Sequence, residues 1–157
     1  MKNTLQRTYI NAVLDRNEIR ATLSRSEYRV SLSPIAVTAI QPQTITAVAG
    51  QALSGHRAVC IKSDGKVYYA DANTLDTKSV IGVTTHAASN SESVVVQTDG
   101  ELSNVGGWSF TTGGAIFVGS NGQLVQSDTG TAYISSLGLA TKTDTININI
   151  FQSIIRT

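Results

Sequence analysis

The sequence predicts an all-β protein: a duplicated antiparallel β-unit forming a small sandwich or barrel, preceded by an N-terminal repeat of short strands. Three observations carry this. Thirteen glycines against two prolines, in a chain rich in Thr, Ser, Val and Ile, favour strands and tight turns over helices. A phrase in the middle of the chain recurs at an offset of 57 positions. A shorter phrase recurs every nine residues at the N-terminus.

The long phrase reads "GHRAVCIKSDGKVYYAD" over 55–71 and "GGAIFVGSNGQLVQSD" over 113–128. Ala58 meets Ala115, Val59 meets Ile116, Cys60 meets Phe117 and Ile61 meets Val118. Gly65 meets Gly122 and Asp71 meets Asp128. After a one-residue gap "VIGVTT" (80–85) meets "SLGLAT" (136–141), and "ESVVVQ" (92–97) meets "DTININ" (144–149).

Asp64-Gly65 and Asn121-Gly122 are the dipeptides that type I′ turns favour, because both central residues need positive φ. Flanked by apolar and β-branched runs, they predict one hairpin in each copy. The third element carries a central glycine, which points to a bulge or a close backbone approach. The fourth alternates as a half-buried strand does. Two four-strand copies, 55–104 and 113–152, make about eight strands within a domain spanning 51–157.

Residues 1–34 hold the nine-residue repeat, "INAVLDRNE", "IRATLSRSE", "YRVSLSPIA". Leu recurs at 5, 14, 23 and 32, and Arg at 7, 16 and 25. Nine residues make about two and a half helical turns, so successive leucines of a helix would fall on opposite faces. A short strand plus a bend at "D/S-R-x-E" places Ile10 and Leu14, Ile19 and Leu23, and Tyr28 and Leu32 on one face. Strands this short need neighbours. The segment therefore reads as a fibre-like shaft closed by self-association into a homotrimer, or as an arm ordering on another protein. Leu5, Ile10, Leu14, Ile19, Leu23, Tyr28 and Leu32 are the oligomer or attachment candidates. The stretch from Pro34 to Gly50 holds both prolines, and 35–50 reads as a linker that could add an edge strand.

Candidate chemistry is sparse. His56 and His86 have no metal-ligand spacing and read as exposed loop-edge residues. The carboxylates Asp64, Asp71, Glu92, Asp99, Asp128 and Asp144 fall at turns or strand edges, without a calcium-loop spacing. No nucleophile elbow or phosphate-cradling loop is present. Catalytic residues, cofactor and metal are therefore all expected to be none. Cys60 is the single cysteine, so no intrachain disulfide forms, and a small buried residue is expected there. A net charge of +1 and the lack of a long apolar run argue against nucleic-acid and membrane partners. The N-terminus has no apolar signal core, so synthesis in a reducing cytoplasm is expected. Trp108 and Phe110, in "VGGWSFTTGG", read either as an exposed aromatic platform for sugar or protein or as plugs sealing the join of the copies. The plug reading is favoured because Trp buries much apolar area.

The segments "AGQALSGHRAVCIKSDGKVYYAD", "VIGVTTHAASNSESVVVQTDGEL" and "GGAIFVGSNGQLVQSD…LGLAT" resemble the capsid cement and head-decoration proteins of tailed bacteriophages over about 48–150. The nine-residue repeats resemble connector segments of phage fibres and spikes. The resemblance implies a trimeric β-protein on a capsid lattice, with the major capsid protein or another virion protein as partner. It brings no catalytic residues. The N-terminal repeat departs from a minimal cement protein and leaves head and tail attachment both open. A tail-fibre adaptor or receptor-binding module is the alternative. A host receptor glycan has no motif in its support.

Overall fold

The computed structural model describes the backbone of Ala12–Asp15 and Glu18–Ala21, and residues 42–157 in full. The chain divides into two units, Met1–Ala39 and Ile40–Thr157.

In the first unit β1 (Ala12–Asp15) pairs antiparallel with β2 (Glu18–Ala21), with Leu14 opposite Ile19 and Asp15 opposite Glu18. β1 ends at Asp15 and β2 begins at Glu18; the residues between them, where the sequence places a bend, lie outside the described residues. Leu5, Ile10, Leu23, Tyr28 and Leu32 lie outside the described residues.

The second unit is all-β. Its strands are β3 (Gln43–Val48), β4 (Ala58–Ile61), β5 (Val67–Tyr69), β6 (Val80–Thr84), β7 (Ser93–Ser103), β8 (Ala115–Val118), β9 (Leu124–Val125), β10 (Tyr133–Ile134), β11 (Ser136–Lys142), β12 (Thr145–Asn149) and β13 (Ile154–Ile155). One curled antiparallel sheet, a half-barrel, runs in the order β5-β4-β6-β7-β12-β11-β8-β9. That order is a palindrome. The first copy contributes β5-β4-β6-β7, the second contributes β9-β8-β11-β12, and the two join where β7 pairs with β12. β7 is long enough to pair with β3 and β6 along its first half and β12 along its second. β10 and β13 form a separate short pair.

The curl brings the outer hairpins together. Gly122 N–H donates to the Ala70 carbonyl at 2.6 Å, and Ala72 N–H to the Gly119 carbonyl at 3.1 Å. Each such bond contributes about 1 kcal/mol net.

The core follows from period-two alternation along the strands. Ala58 and Cys60 face one cluster with Val83, Ile116, Val118, Leu137, Ile146 and Ile148. Val59 faces the opposite way, into a second cluster with Val67, Val94, Val96, Leu53 and Ala49. Burial on both faces explains why β4 reads as an unbroken apolar run rather than an alternating one. The second cluster backs the first copy, where Ala49 to Leu53 fold over it and Leu53 bridges to Ala88. In the second copy the matching strands leave Ala115 exposed, Phe117 half-buried and Leu139 exposed. A charge at Val59 or Ile116, both fully buried, would break the sheet, because each valine or isoleucine contributes about 2 kcal/mol by burial alone.

Of the two predicted type I′ turns, one is found. Asn121 (φ 50°, ψ 43°) and Gly122 (φ 70°) both take the left-handed conformation. Gln123 N–H bonds the Ser120 carbonyl to close a type I′ turn. At the first copy only Gly65 is left-handed, with φ 75°. Gly65 N–H bonds the Lys62 carbonyl, and Lys62 N–H bonds the Lys66 carbonyl. This is a three-residue loop, a type I turn followed by a glycine bulge, so Asp64 keeps an ordinary φ.

The central glycines of the third strands are close-approach sites. A Cβ on Gly82 would lie 2.3 Å from the Gln97 carbonyl oxygen, and one on Gly138 (φ 141°) 2.0 Å from that of Asn147. A register shift lies beside each, between Val59 and Cys60 and between Ser136 and Gly138. The stretch expected as linker, 35–50, supplies β3 and the buried Ala49 to the domain.

Candidate functional site

The segment after β7 and the segment before β4 meet in a cleft of about 330 Å³. Both walls are held from beneath. Thr84, fully buried, donates its hydroxyl to the Ser54 carbonyl at 2.8 Å and accepts Arg57 N–H at 3.0 Å. His56 N–H reaches the Thr84 carbonyl at 2.7 Å, and Ser54 N–H reaches the Tyr69 hydroxyl at 2.6 Å. Pinned this way, His56 adopts φ 59°, a left-handed conformation that costs a non-glycine residue about 1 kcal/mol. Such strain persists only where the surroundings over-determine it.

The opposite wall hangs from the β11–β12 connection. Asn104 N–H bonds the Asp144 carbonyl at 2.8 Å and Phe110 N–H the Thr143 carbonyl at 2.7 Å. Gly106 (φ 75°) lets the loop turn back, so that Gly107 and Trp108 N–H both reach the Asn104 carbonyl. Trp108 then meets His56 edge to face, with centroids 5.4 Å apart at 83°, and tilts against Phe110 at 5.5 Å.

The structure places Trp108 and Phe110 in the loop that follows β7. Each is half-buried and packs on the main core cluster, as a plug does, while Trp108 also lines the open cleft. His56 is not the exposed loop-edge residue expected: it is half-buried against Trp108. The other polar lining is Ser54, Arg57, Asn104 and Gln123. No local motif marks these residues, since the cleft joins positions about fifty residues apart and depends on where the sheet curls. His86 is exposed, beside the Thr85 hydroxyl.

The turn carboxylates do structural work. Asp64 accepts the Tyr68 hydroxyl at 2.7 Å, which holds its carboxyl below the ordinary range. Glu92 accepts Ser89 N–H, with the same effect. Asp71 and Asp128 close turns described below. Among the described residues no three potential metal-ligating side chains gather. A second cleft, about 410 Å³, lies between Lys78–Val80 and Ile150–Ser153, and Lys78 is its one charged side chain. Its other polar lining is Ser79, Gln152 and Ser153, and it has no aromatic side chain but Phe151. No protein-family model matches the chain, and no curated protein matches it.

Proposed function

We propose that the chain is a non-enzymatic structural protein of a tailed-bacteriophage particle, decorating or projecting from the capsid as a homotrimer. It would be made in the host cytoplasm and bind the major capsid protein or another virion protein. The sequence resemblance motivates the reading, and one structural observation carries it. β3 is an edge strand exposed on both faces, with Ile45 43% and Val48 41% exposed. These two positions have opposite parity and so face opposite ways. Among the described residues β3 pairs on one side only, with β7. Proteins that stay monomeric blunt such edges with charge, proline or bulges. β3 carries no charged residue; Pro42 precedes it and a bulge lies at its start between Gln43 and Thr44, but beyond them Ile45 and Val48 remain exposed, as suits a segment covered by neighbouring copies.

Light scattering on the full chain tests the assembly. A trimer at micromolar concentration is expected. An Ile45→Glu, Val48→Glu double variant should shift toward monomer while keeping its β-sheet circular dichroism. A wild-type monomer contradicts the proposal. The tail-fibre or receptor-binding alternative draws on a different observation, the aromatic cleft beside Trp108.

A further inference from the structure

We infer that the cleft between the two copies binds a saccharide carrying a carboxylate. This inference does not rest on the particle reading, and a trimer that binds no sugar or a monomer that does would separate the two.

Four features of the cleft converge on that ligand chemistry. Trp108 offers an electron-rich ring, to which the polarised C–H groups on the apolar face of a pyranose are attracted. Arg57 is half-buried and lines the cleft, and its side chain carries a planar fork of the kind that fits a carboxylate in bidentate geometry. Among the described residues no acidic side chain lines the cleft, and none forms an ion pair with Arg57. Asn104 and Gln123 supply amide groups that both donate and accept, which suits the hydroxyls of a sugar ring.

The cleft is also preorganised. The Arg57 backbone is fixed by a fully buried threonine, and His56 is locked in a left-handed conformation with its ring against the indole. The other wall is fixed by two backbone bonds to the β11–β12 connection. Little is left to order on binding, so a shallow cleft with few contacts can still show measurable affinity. The ligand class excludes a bare anion, which would use Arg57 and leave the indole and both amides idle. It excludes a neutral sugar as the preferred ligand, which would leave the guanidinium without a partner.

Trp108 is the only tryptophan of the chain, so its emission reports the cleft directly. The probe is tri-galacturonic acid, titrated into the full-length protein. Neutral galactotriose and inorganic phosphate serve as controls at matched ionic strength. A saturable change in emission is expected with the triuronate, with a Kd of about 1 mM or tighter. Galactotriose should bind at least about tenfold more weakly, the loss of one charge-assisted pair. Phosphate should give no saturable change. Arg57→Gln should bring the triuronate down to the affinity of the neutral sugar. Arg57→Lys, which keeps the charge and the aliphatic stem but loses the fork, should fall between. The inference is overturned by any of three results with the wild-type protein: no saturable response to the triuronate up to about 10 mM, equal affinity for the neutral sugar, or a phosphate response matching that of the sugar.

Discussion

Asp71 and Asp128 build the same turn at equivalent places in the two copies. One carboxylate oxygen of each accepts the backbone N–H two residues on, from Asn73 at 3.0 Å and from Gly130 at 3.3 Å. The other oxygen has a different partner in each copy. In Asp71 it accepts Asn121 N–H at 3.2 Å, across the closure of the curled sheet. In Asp128 it pairs with the Arg156 guanidinium near the C-terminus. The duplicated unit thus repeats its turn chemistry, while the free valence of each turn serves the fold in its own way.

Asp71→Ala should therefore destabilise the domain more than Asp128→Ala. The first removes acceptors from two backbone donors, at about 1 kcal/mol each, one of them at the closure. The second loses one such bond and an exposed ion pair that contributes well under about 1 kcal/mol. Urea denaturation of the two variants side by side checks the order.

The two turn glycines should differ just as sharply. An alanine at Gly65 meets nothing within 4 Å, so only the strain of φ 75° remains, about 1 kcal/mol. An alanine at Gly122 adds a contact 2.6 Å from the Ala58 carbonyl oxygen, and the shift this forces should bring the cost to about 3 kcal/mol or more. Equal melting temperatures for Gly65→Ala and Gly122→Ala would contradict the closure described here.

These glycines show how far the sequence could be read. The two D/N-G dipeptides located both hairpins, and the glycines of "VIGVTT" and "SLGLAT" marked the close approaches at Gly82 and Gly138, because a Cβ at either would run into a carbonyl of the paired strand. Aligning the phrases anticipated a paired four-strand unit, which the palindromic strand order displays. The turn type at Asp64 was not legible, since it depends on loop length and strand register rather than on the dipeptide. β3 was hidden in a proline-containing stretch that is exposed almost throughout, so burial left no alternation to find. The cleft was legible only as the unusual "GGWSF". Its partners His56 and Arg57 arrive through long-range curvature that local pattern does not encode.

Cys60 gives a pH-dependent test of the core. Burial pushes its thiol from the ordinary 9.0 to about 11. Between those values the unfolded chain releases a proton that the folded chain holds, so stability falls as pH rises from 9 to 11. The loss specific to this residue should be about 2 kcal/mol. Cys60→Ala should lack that part of the slope when melts are compared across the same range. At pH 8 the wild-type thiol should resist alkylation until denaturant is added.

Thr84 links stability to the cleft. Thr84→Val keeps the shape of this fully buried side chain but leaves the Ser54 carbonyl and the Arg57 N–H without their hydroxyl partner. A loss of about 2 kcal/mol is expected, together with altered Trp108 emission as the His56 wall loosens. A variant as stable as wild type with unchanged emission would show that the loop is held by other contacts.

The domain should also fold without the N-terminal repeat, provided the cut spares β3. Residues 42–157 contain both core clusters and every strand of the curled sheet. A chain starting at 42 should give a cooperative melt close to that of the full protein. A chain starting at 50 loses β3 and Ala49, and should melt lower or aggregate through the bared edge of β7.

The proposal that this is a decorating protein of a phage particle is tested most directly by counting its copies. If the chain is encoded by a phage, as proposed, quantitative mass spectrometry on that phage's purified particles, scaled to the major capsid protein, gives the number. The account predicts on the order of hundreds of copies per particle, in multiples of three, as a lattice-wide mechanism of many weak contacts requires. A few to tens of copies would move the protein to the tail, and its absence from purified particles would contradict the account.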